Sequence, residues 1–166
     1  MFDRFRRNPA PKPDDQYLEL RGMILRTTPA EVGVAPTSEL PRVWGLVMDT
    51  TWKKGGYTLV ALADGTTSLY TSTGGGFIGC GEHPQVAEAT RDALRVVEEH
   101  LDHLSPSIDA SLPPAGEVVL RALAYSGEHA LRAPENDLGK GRHPQSPIFH
   151  AAQNVITYVR LLQESR

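Results

Sequence analysis

The sequence predicts an α+β fold, namely a single domain with a five-stranded, mainly antiparallel sheet and flanking helices in the order α-βββ-α-ββ-α. Apolar runs rich in β-branched residues are joined by glycine turns rather than by long crossovers, which is typical of antiparallel strands. Two long stretches have apolar residues at helical spacing, one after each group of strands. The length of 166 residues, with 40% hydrophobic residues, suits one buried core.

The chain begins with a basic, proline-rich segment, residues 1–13, which we interpret as a flexible arm ahead of the domain at 14–166. Its three prolines break helical structure, and terminal segments of this kind are commonly frayed. Phe2 and Phe5 among the basic residues leave a second interpretation open, in which the arm anchors the protein to a membrane or a partner. We favour the first interpretation.

Two helices are predicted next. The first spans residues 14–27, because Asp14 suits the positive end of the helix dipole and Arg26 suits the negative end. The following "TPAE", residues 28–31, is a capping box with proline at the first helical position. A short second helix is therefore expected to begin there.

A three-stranded meander follows. The first two strands are apolar on both faces, so both faces of the sheet are expected to be covered. Two glycines at 55–56 make the first turn, and Asp64-Gly65 is a strong signal for the second, because a type I′ turn needs positive φ at both central residues. The predicted strands are residues 42–50, 57–64 and 66–73.

The second half of the chain is predicted to contain a long helix, a second hairpin and a last helix. Pro84 opens a long helix, and Ser126-Gly127 turns a second hairpin. Ser146 as N-cap and Pro147 at the next position start the last helix. The remaining residues between these elements are predicted to be loops. The predicted elements are residues 84–104, 117–125, 128–134 and 147–164.

The most informative motif is "STGGGFIGCGEH", residues 72–83, between the third strand and the long helix. Its G-x-G-x-x-G spacing occurs in dinucleotide-binding loops, but those loops follow a parallel strand and run directly into a helix. Two interpretations stay open: backbone N–H groups that bind a phosphate or carboxylate, or glycines that permit positive φ and close packing. At least two of the five glycines are expected to have positive φ. The candidate ligand-binding residues are Gly74, Gly75, Gly76, Gly79, Cys80, Gly81 and His83.

The sequence contains other side chains that could carry chemistry, but a structural role explains each of them more simply. Cys80 and His83 could form a nucleophile and its base, but no third group is placed to orient the histidine, so a small buried cysteine is favoured. His100 and His103 could face one metal ion, but no third ligand has a recognisable spacing. We therefore predict no catalytic residue, no metal and no cofactor, and we leave open whether the protein is an enzyme.

Charge and cysteine content restrict the class of protein. A net charge of −3 and a pI near 6.1 give no basic surface for nucleic acid. No apolar run approaches the length of a membrane span, and the charged start of the chain is unlike a signal peptide. A single cysteine suits a reducing compartment. We expect a cytoplasmic protein that binds neither nucleic acid nor membrane.

Three stretches carry a resemblance to known proteins: "VWGLVMDTTW", "LADGTTSLYTSTGGGFIGCGEH" and "GRHPQSPIFHAAQNVITYVRLL". Over residues 40–164 the chain resembles an uncharacterised family of small bacterial proteins with a "DGTTSLYxSTGGG" glycine loop and a closing "HPxSP" helix. The resemblance implies a bacterial source and no assigned activity. The order of elements is also loosely similar to that of roadblock and profilin-like domains.

The functional expectation is a non-enzymatic binding or protein-interaction module that forms a homodimer. The dimer is expected because one short helix cannot cover a whole sheet face, which leaves apolar strand surface for a second copy. The alternative is a protein that binds a small ligand or an anion, or a small enzyme, through the loop at 74–83.

Overall fold

Seven strands form one antiparallel sheet in residues 12–164, the part of the chain that the computed structural model describes. In chain order the strands are β1 Val43–Trp52, β2 Gly55–Leu62, β3 Thr67–Thr71, β4 Gly76–Phe77, β5 Ser105–Pro106, β6 Glu117–Ala124 and β7 Gly127–Pro134. Their order across the sheet is β4-β3-β2-β1-β6-β7-β5. The predicted α+β class with an antiparallel sheet is confirmed. Of the predicted arm at 1–13, residues 1–11 lie outside the described part.

The predicted number of five strands is wrong, because the sheet has seven. The two additional strands are β4 and β5, which are two residues long and lie at opposite edges. Phe77 of β4 pairs with Leu69, and Ser105 of β5 pairs with Ala130. Strands this short show no alternation of apolar and polar residues, which is the pattern that predicts a strand from sequence.

The described residues form five α-helices, which flank the sheet: α1 Asp15–Arg26, α2 Pro29–Val32, α3 Pro84–His100, α4 Glu135–Gly139 and α5 Ser146–Glu164. The predicted cap at Thr28 is confirmed, and Asp14, predicted to suit the helix dipole, is the N-cap of α1. The predicted N-cap at Ser146 is wrong, because α5 already begins at that residue. The side chain of Asp14 accepts a hydrogen bond from the Gln16 N–H, and the side chain of Thr28 accepts one from the Glu31 N–H. The short helix α4 was predicted to be loop, because its five residues carry no capping side chain and no apolar stripe.

The two faces of the sheet carry separate apolar clusters. Helices α3 and α5 pack on one face, and α1 packs on the other. Neighbouring residues of β1 alternate between them, so that Val47 belongs to the α1 cluster and Met48 to the α3–α5 cluster. This arrangement explains why the central strands are apolar on both sides.

The face under α1 is covered by more than the helix itself. Val32 and Val34 after α1, together with Leu112 and Tyr125, pack against the α1 cluster. Strand β2 is buried along its whole length, and so are the first eight residues of β1. The apolar strand surface that was expected to remain for a second copy is therefore covered by this chain.

A buried carboxylate fastens α3 to the start of β1. Glu98 accepts hydrogen bonds from the backbone N–H groups of Arg42 and Val43 at 2.7 and 3.1 Å, and from Arg42 Nε at 2.6 Å. The same guanidinium donates to the Glu98 carbonyl at 2.6 Å and to Asp102 at 2.7 Å. These contacts hold the last turns of α3 against the strand at the centre of the sheet.

Replacing Glu98 with Ala is expected to lower the free energy of unfolding by about 2–3 kcal/mol, because it leaves two backbone N–H groups and the Arg42 charge without their acceptor. The matched control is Glu99→Ala at the exposed neighbouring position, which should cost less than about 0.5 kcal/mol. Urea denaturation of both variants makes the comparison. Equal losses in the two variants would contradict the fastening role.

Candidate functional site

The glycine-rich segment forms a tight hairpin. Residues 71–77 join β3 to β4, and we call them the glycine hairpin; one turn of 3₁₀ helix, Cys80–Glu82, then leads into α3. The Gly74 N–H donates to the Thr71 carbonyl at 3.1 Å, and the Thr71 N–H donates to the Gly75 carbonyl at 3.2 Å. Positive φ is confirmed at four of the five predicted glycines: Gly74, Gly75, Gly76 and Gly79.

Close backbone packing explains the fifth glycine and adds a second reason for Gly76. A Cβ at Gly81 would lie 1.8 Å from the carbonyl oxygen of Gly65, in the turn between β2 and β3. A Cβ at Gly76 would lie 2.4 Å from the carbonyl oxygen of Leu69. Backbone conformation and packing therefore account for all five glycines.

The predicted site residues do not all face the same space. Gly74, Gly75 and Gly76 are exposed, whereas Cys80 is buried in the α3–α5 cluster. His83 is half-buried and stands at the N-cap of α3, where its side chain makes no capping hydrogen bond. The sulfur is thus packed into the core behind the hairpin, on the side away from the exposed glycines.

A cavity of about 200 Å³ lies between the glycine hairpin and the start of α1. Gly75 and Gly76 line one wall, and Asp14 and Gln16 line the other. Asp14 is fixed there, because its N–H donates to the Ser72 carbonyl at 2.7 Å and its carboxylate caps α1. An anion bound at the exposed glycines would lie near this carboxylate, which weakens the case for an anion at the hairpin.

The most unusual group of side chains lies under α1, where two arginines share one buried aspartate. Arg21 of α1 binds Asp49 of β1 through two hydrogen bonds of 3.0 and 2.8 Å. Arg121 of the neighbouring β6 donates a further hydrogen bond to the same carboxylate. Asp49 is 0% exposed and Arg121 is 1% exposed. We call these three residues the buried ion cluster.

The buried ion cluster also holds a tyrosine and a loop. Thr58 donates to Asp49 at 2.6 Å, and its hydroxyl contacts the Tyr17 hydroxyl at 2.6 Å. Residues 107–115, which we call the covering loop, supply backbone carbonyls to both guanidinium groups. The Ala110 carbonyl accepts from Arg21 at 2.6 Å, and the carbonyls of residues 109 and 111 accept from Arg121 at 3.2 and 3.1 Å.

Burial and charge act against each other in this cluster. Burial would raise the pKa of Asp49, but the hydrogen bonds and charge of Arg21 and the charge of Arg121 outweigh it and lower that pKa. Burial raises the pKa of Tyr17. Glu128 of β7 also has a pKa raised by burial, although the charges of Arg121 and Arg21 act in the opposite direction. With Asp49 ionised, the three side chains of the cluster carry one positive charge more than negative.

Further cavities border the covering loop among the described residues. A cavity of about 450 Å³ lies between α1 and the loop and is lined by Leu25, Ile108 and Glu128. A second cavity of about 240 Å³ lies on the opposite side of the loop, above β6 and β7. None of the residues of the buried ion cluster is among the site residues predicted from the sequence. The signal that could have revealed it is a charged residue inside an apolar strand, as at Asp49 and Arg121.

Replacing Asp49 with Asn is expected to lower the free energy of unfolding by about 3–5 kcal/mol at neutral pH, because two buried guanidinium groups lose their shared carboxylate. Since the folded pKa is lowered, this contribution is present above the unfolded value of 3.8 and is lost as pH falls from there through the folded pKa. The difference between wild type and D49N should therefore shrink below about pH 4.

Urea denaturation from neutral to acidic pH measures this difference. The control is Asp92→Asn, which breaks an exposed ion pair with Arg95 of 2.9 Å and should cost less than about 1 kcal/mol. A D49N variant that is as stable as D92N at neutral pH, or a difference that does not depend on pH, would contradict the role given to the cluster.

Replacing Gly81 with Ala is expected to lower the free energy of unfolding by about 2 kcal/mol or more, because the added methyl group overlaps the Gly65 carbonyl. Gly139→Ala is the matched control, since its added Cβ would lie 3.7 Å from Phe149, an ordinary contact. Thermal or urea denaturation compares the two variants. If G81A were no less stable than G139A, the close approach of Gly81 to the Gly65 carbonyl would not be needed for stability.

Comparisons with known proteins do not identify a relative: no family model, curated protein or solved structure matches the chain. Within residues 12–164, no three or more histidine, cysteine, aspartate or glutamate side chains are grouped so that they could hold a metal ion. His100 and His103 do lie near each other, with ring centroids 6.1 Å apart. None of the helices described is both long and apolar enough to cross a membrane.

Proposed function

We propose that the protein is a non-enzymatic binding module that self-associates through α1 and the segments beside it. The observation that carries this proposal is the distribution of exposed apolar side chains. Six large ones are exposed in the described chain, and four of them lie on α1 or beside its two flanking cavities. These four are Leu18, Met23, Ile78 and Ile108.

The shape of this surface suits a helical partner. Helix α1 lies between two depressions, the cavity at the glycine hairpin and the larger cavity at the covering loop. Ile78 stands at the first and is 71% exposed, and Ile108 stands at the second and is fully exposed. In an interface between two identical surfaces, the ridge formed by α1 of each copy can lie in a groove of the other copy.

Charge favours a second copy of this chain as the partner. The first turn of α1 carries Asp15, and its last turn carries Arg26. When two such helices pack antiparallel across a twofold axis, each acidic end meets the basic end of the other. The apolar side chains between these ends would then be covered.

We also propose a bacterial, cytoplasmic location, on the basis of the single cysteine and the family resemblance.

One observation favours the alternative function. In that alternative, residues 74–83 bind a small ligand or an anion, or form the active site of a small enzyme. The cavity of about 200 Å³ has Gly75 and Gly76 on its wall. The nearby carboxylate of Asp14 makes a neutral or cationic ligand more suitable there than an anion. Amide chemical shifts of the hairpin glycines during a ligand titration would test this alternative.

Sedimentation equilibrium is expected to show a dimer of the 18.1 kDa chain at micromolar concentration. The variants Met23→Lys and Ile108→Lys should weaken the dimer by about tenfold or more, because each places a charge in an apolar interface. The control Leu161→Lys changes an exposed apolar residue of α5 and should leave the dimer intact. A monomeric wild type, or equal behaviour of all three variants, would contradict the proposal.

A further inference from the structure

We propose that the cavity above β6 and β7 is a separate site for an oxyanion, in which Arg121 and Arg132 bind a carboxylate or phosphate group of a small molecule. The cavity has a volume of about 240 Å³, which leaves room for a carboxylate or phosphate group. It is lined by Ser105 and Ser107 as well as by the two arginines. Hydroxyl and guanidinium groups together are typical donors to such oxyanions.

Arg121 has binding capacity that the protein does not use. Its Nη1 atom donates to Asp49, and its Nη2 atom donates to two carbonyls of the covering loop. Its Nε atom is buried and has no hydrogen-bond partner among the described residues. A buried, charged donor without an acceptor is costly, and an oxyanion in the adjoining cavity would supply one.

The charge of the site also favours an anion. Arg21 and Arg121 share a single carboxylate, so the buried ion cluster keeps an excess of one positive charge. Backbone carbonyls stabilise this charge as dipoles, but they do not neutralise it. The carboxylates of Glu128 and Asp109 offset part of this charge from outside the cluster, and a bound anion would act on Arg121 directly.

The strand register brings the second arginine to the same place. Arg121 of β6 lies opposite Ala130 of β7, and Arg132 lies two residues further along β7. Residues two apart on a strand share one face of the sheet, so Arg121 and Arg132 are diagonal neighbours on that face. Their side chains line the same cavity, one from the buried end and one from the exposed end.

The cavity is also lined by the carboxylate-bearing residue Asp109. Asp109 lies 3.9 Å from Arg132, and its carboxylate accepts a hydrogen bond from the Ser111 N–H at 2.9 Å. Hydrogen bonds to Ser111 lower the pKa of Asp109, so it stays ionised at neutral pH. Asp109 therefore competes with an incoming anion for Arg132. Removing its charge should strengthen anion binding, whereas removing the charge of Arg132 should weaken it.

The test is an NMR titration of the full chain with inorganic phosphate and, separately, with acetate, at constant ionic strength. Amide shifts of residues 105, 107–109 and 130–132 are expected to saturate with at least one of the two anions, and the comparison identifies which group the site takes. Arg132→Gln should weaken this binding by about tenfold. Asp109→Asn should strengthen it by about threefold, because asparagine keeps the acceptor for Ser111 and removes the competing charge.

The matched control is Arg95→Gln, at an exposed arginine in an ion pair on α3, which should leave the affinity unchanged. Neither Arg132 nor Asp109 is buried, so both variants are expected to fold. Shifts that do not saturate with either anion, that concentrate at Gly74–Gly81 instead, or that are the same in R132Q and R95Q would overturn the proposal.

Discussion

The shared carboxylate of Asp49 is the contact on which one whole side of the molecule depends. It joins helix α1, the central strands β1 and β6, and the covering loop at one point, although Arg21 and Arg121 are far apart in sequence. Removing one partner of such a buried group leaves an uncompensated charge in an apolar surrounding. The positions of α1 and of the loop, and the cavities between them, therefore follow from how this one charge is satisfied.

The opposite side of the sheet is built by different means. Helices α3 and α5 cover it with an apolar cluster, and its main polar fastening is the Glu98 carboxylate at the start of β1. Hydrophobic packing is insensitive to exact direction, whereas hydrogen bonds to a buried charge fix both direction and register. The α3–α5 side thus gives the fold most of its apolar burial, and the α1 side gives it a defined arrangement of loops.

Local signals in the sequence were sufficient for most of the fold, and non-local contacts account for what was missed. The starts of α1 and α2 were predicted because Asp14 and Thr28 act within one helical turn. The edge strands β4 and β5 exist through pairing with other strands, and no local pattern reveals them. Positive φ in the glycine hairpin was predictable, but the contact between Gly81 and Gly65 was not. The buried ion cluster was missed because each arginine, taken alone, is typical of a solvated position.

The covering loop is anchored to the buried arginines through main-chain atoms. Three consecutive carbonyls, at residues 109–111, accept from the buried arginines, while Ile108 points into solvent. Main-chain anchors are present whatever side chain a residue carries, so the side chain at a position such as 108 can change without loss of the attachment. An inserted or deleted residue would displace the carbonyls from their donors. During evolution, or in a display library, exposed positions of this loop such as 108 are therefore free to vary in composition while its length is held constant.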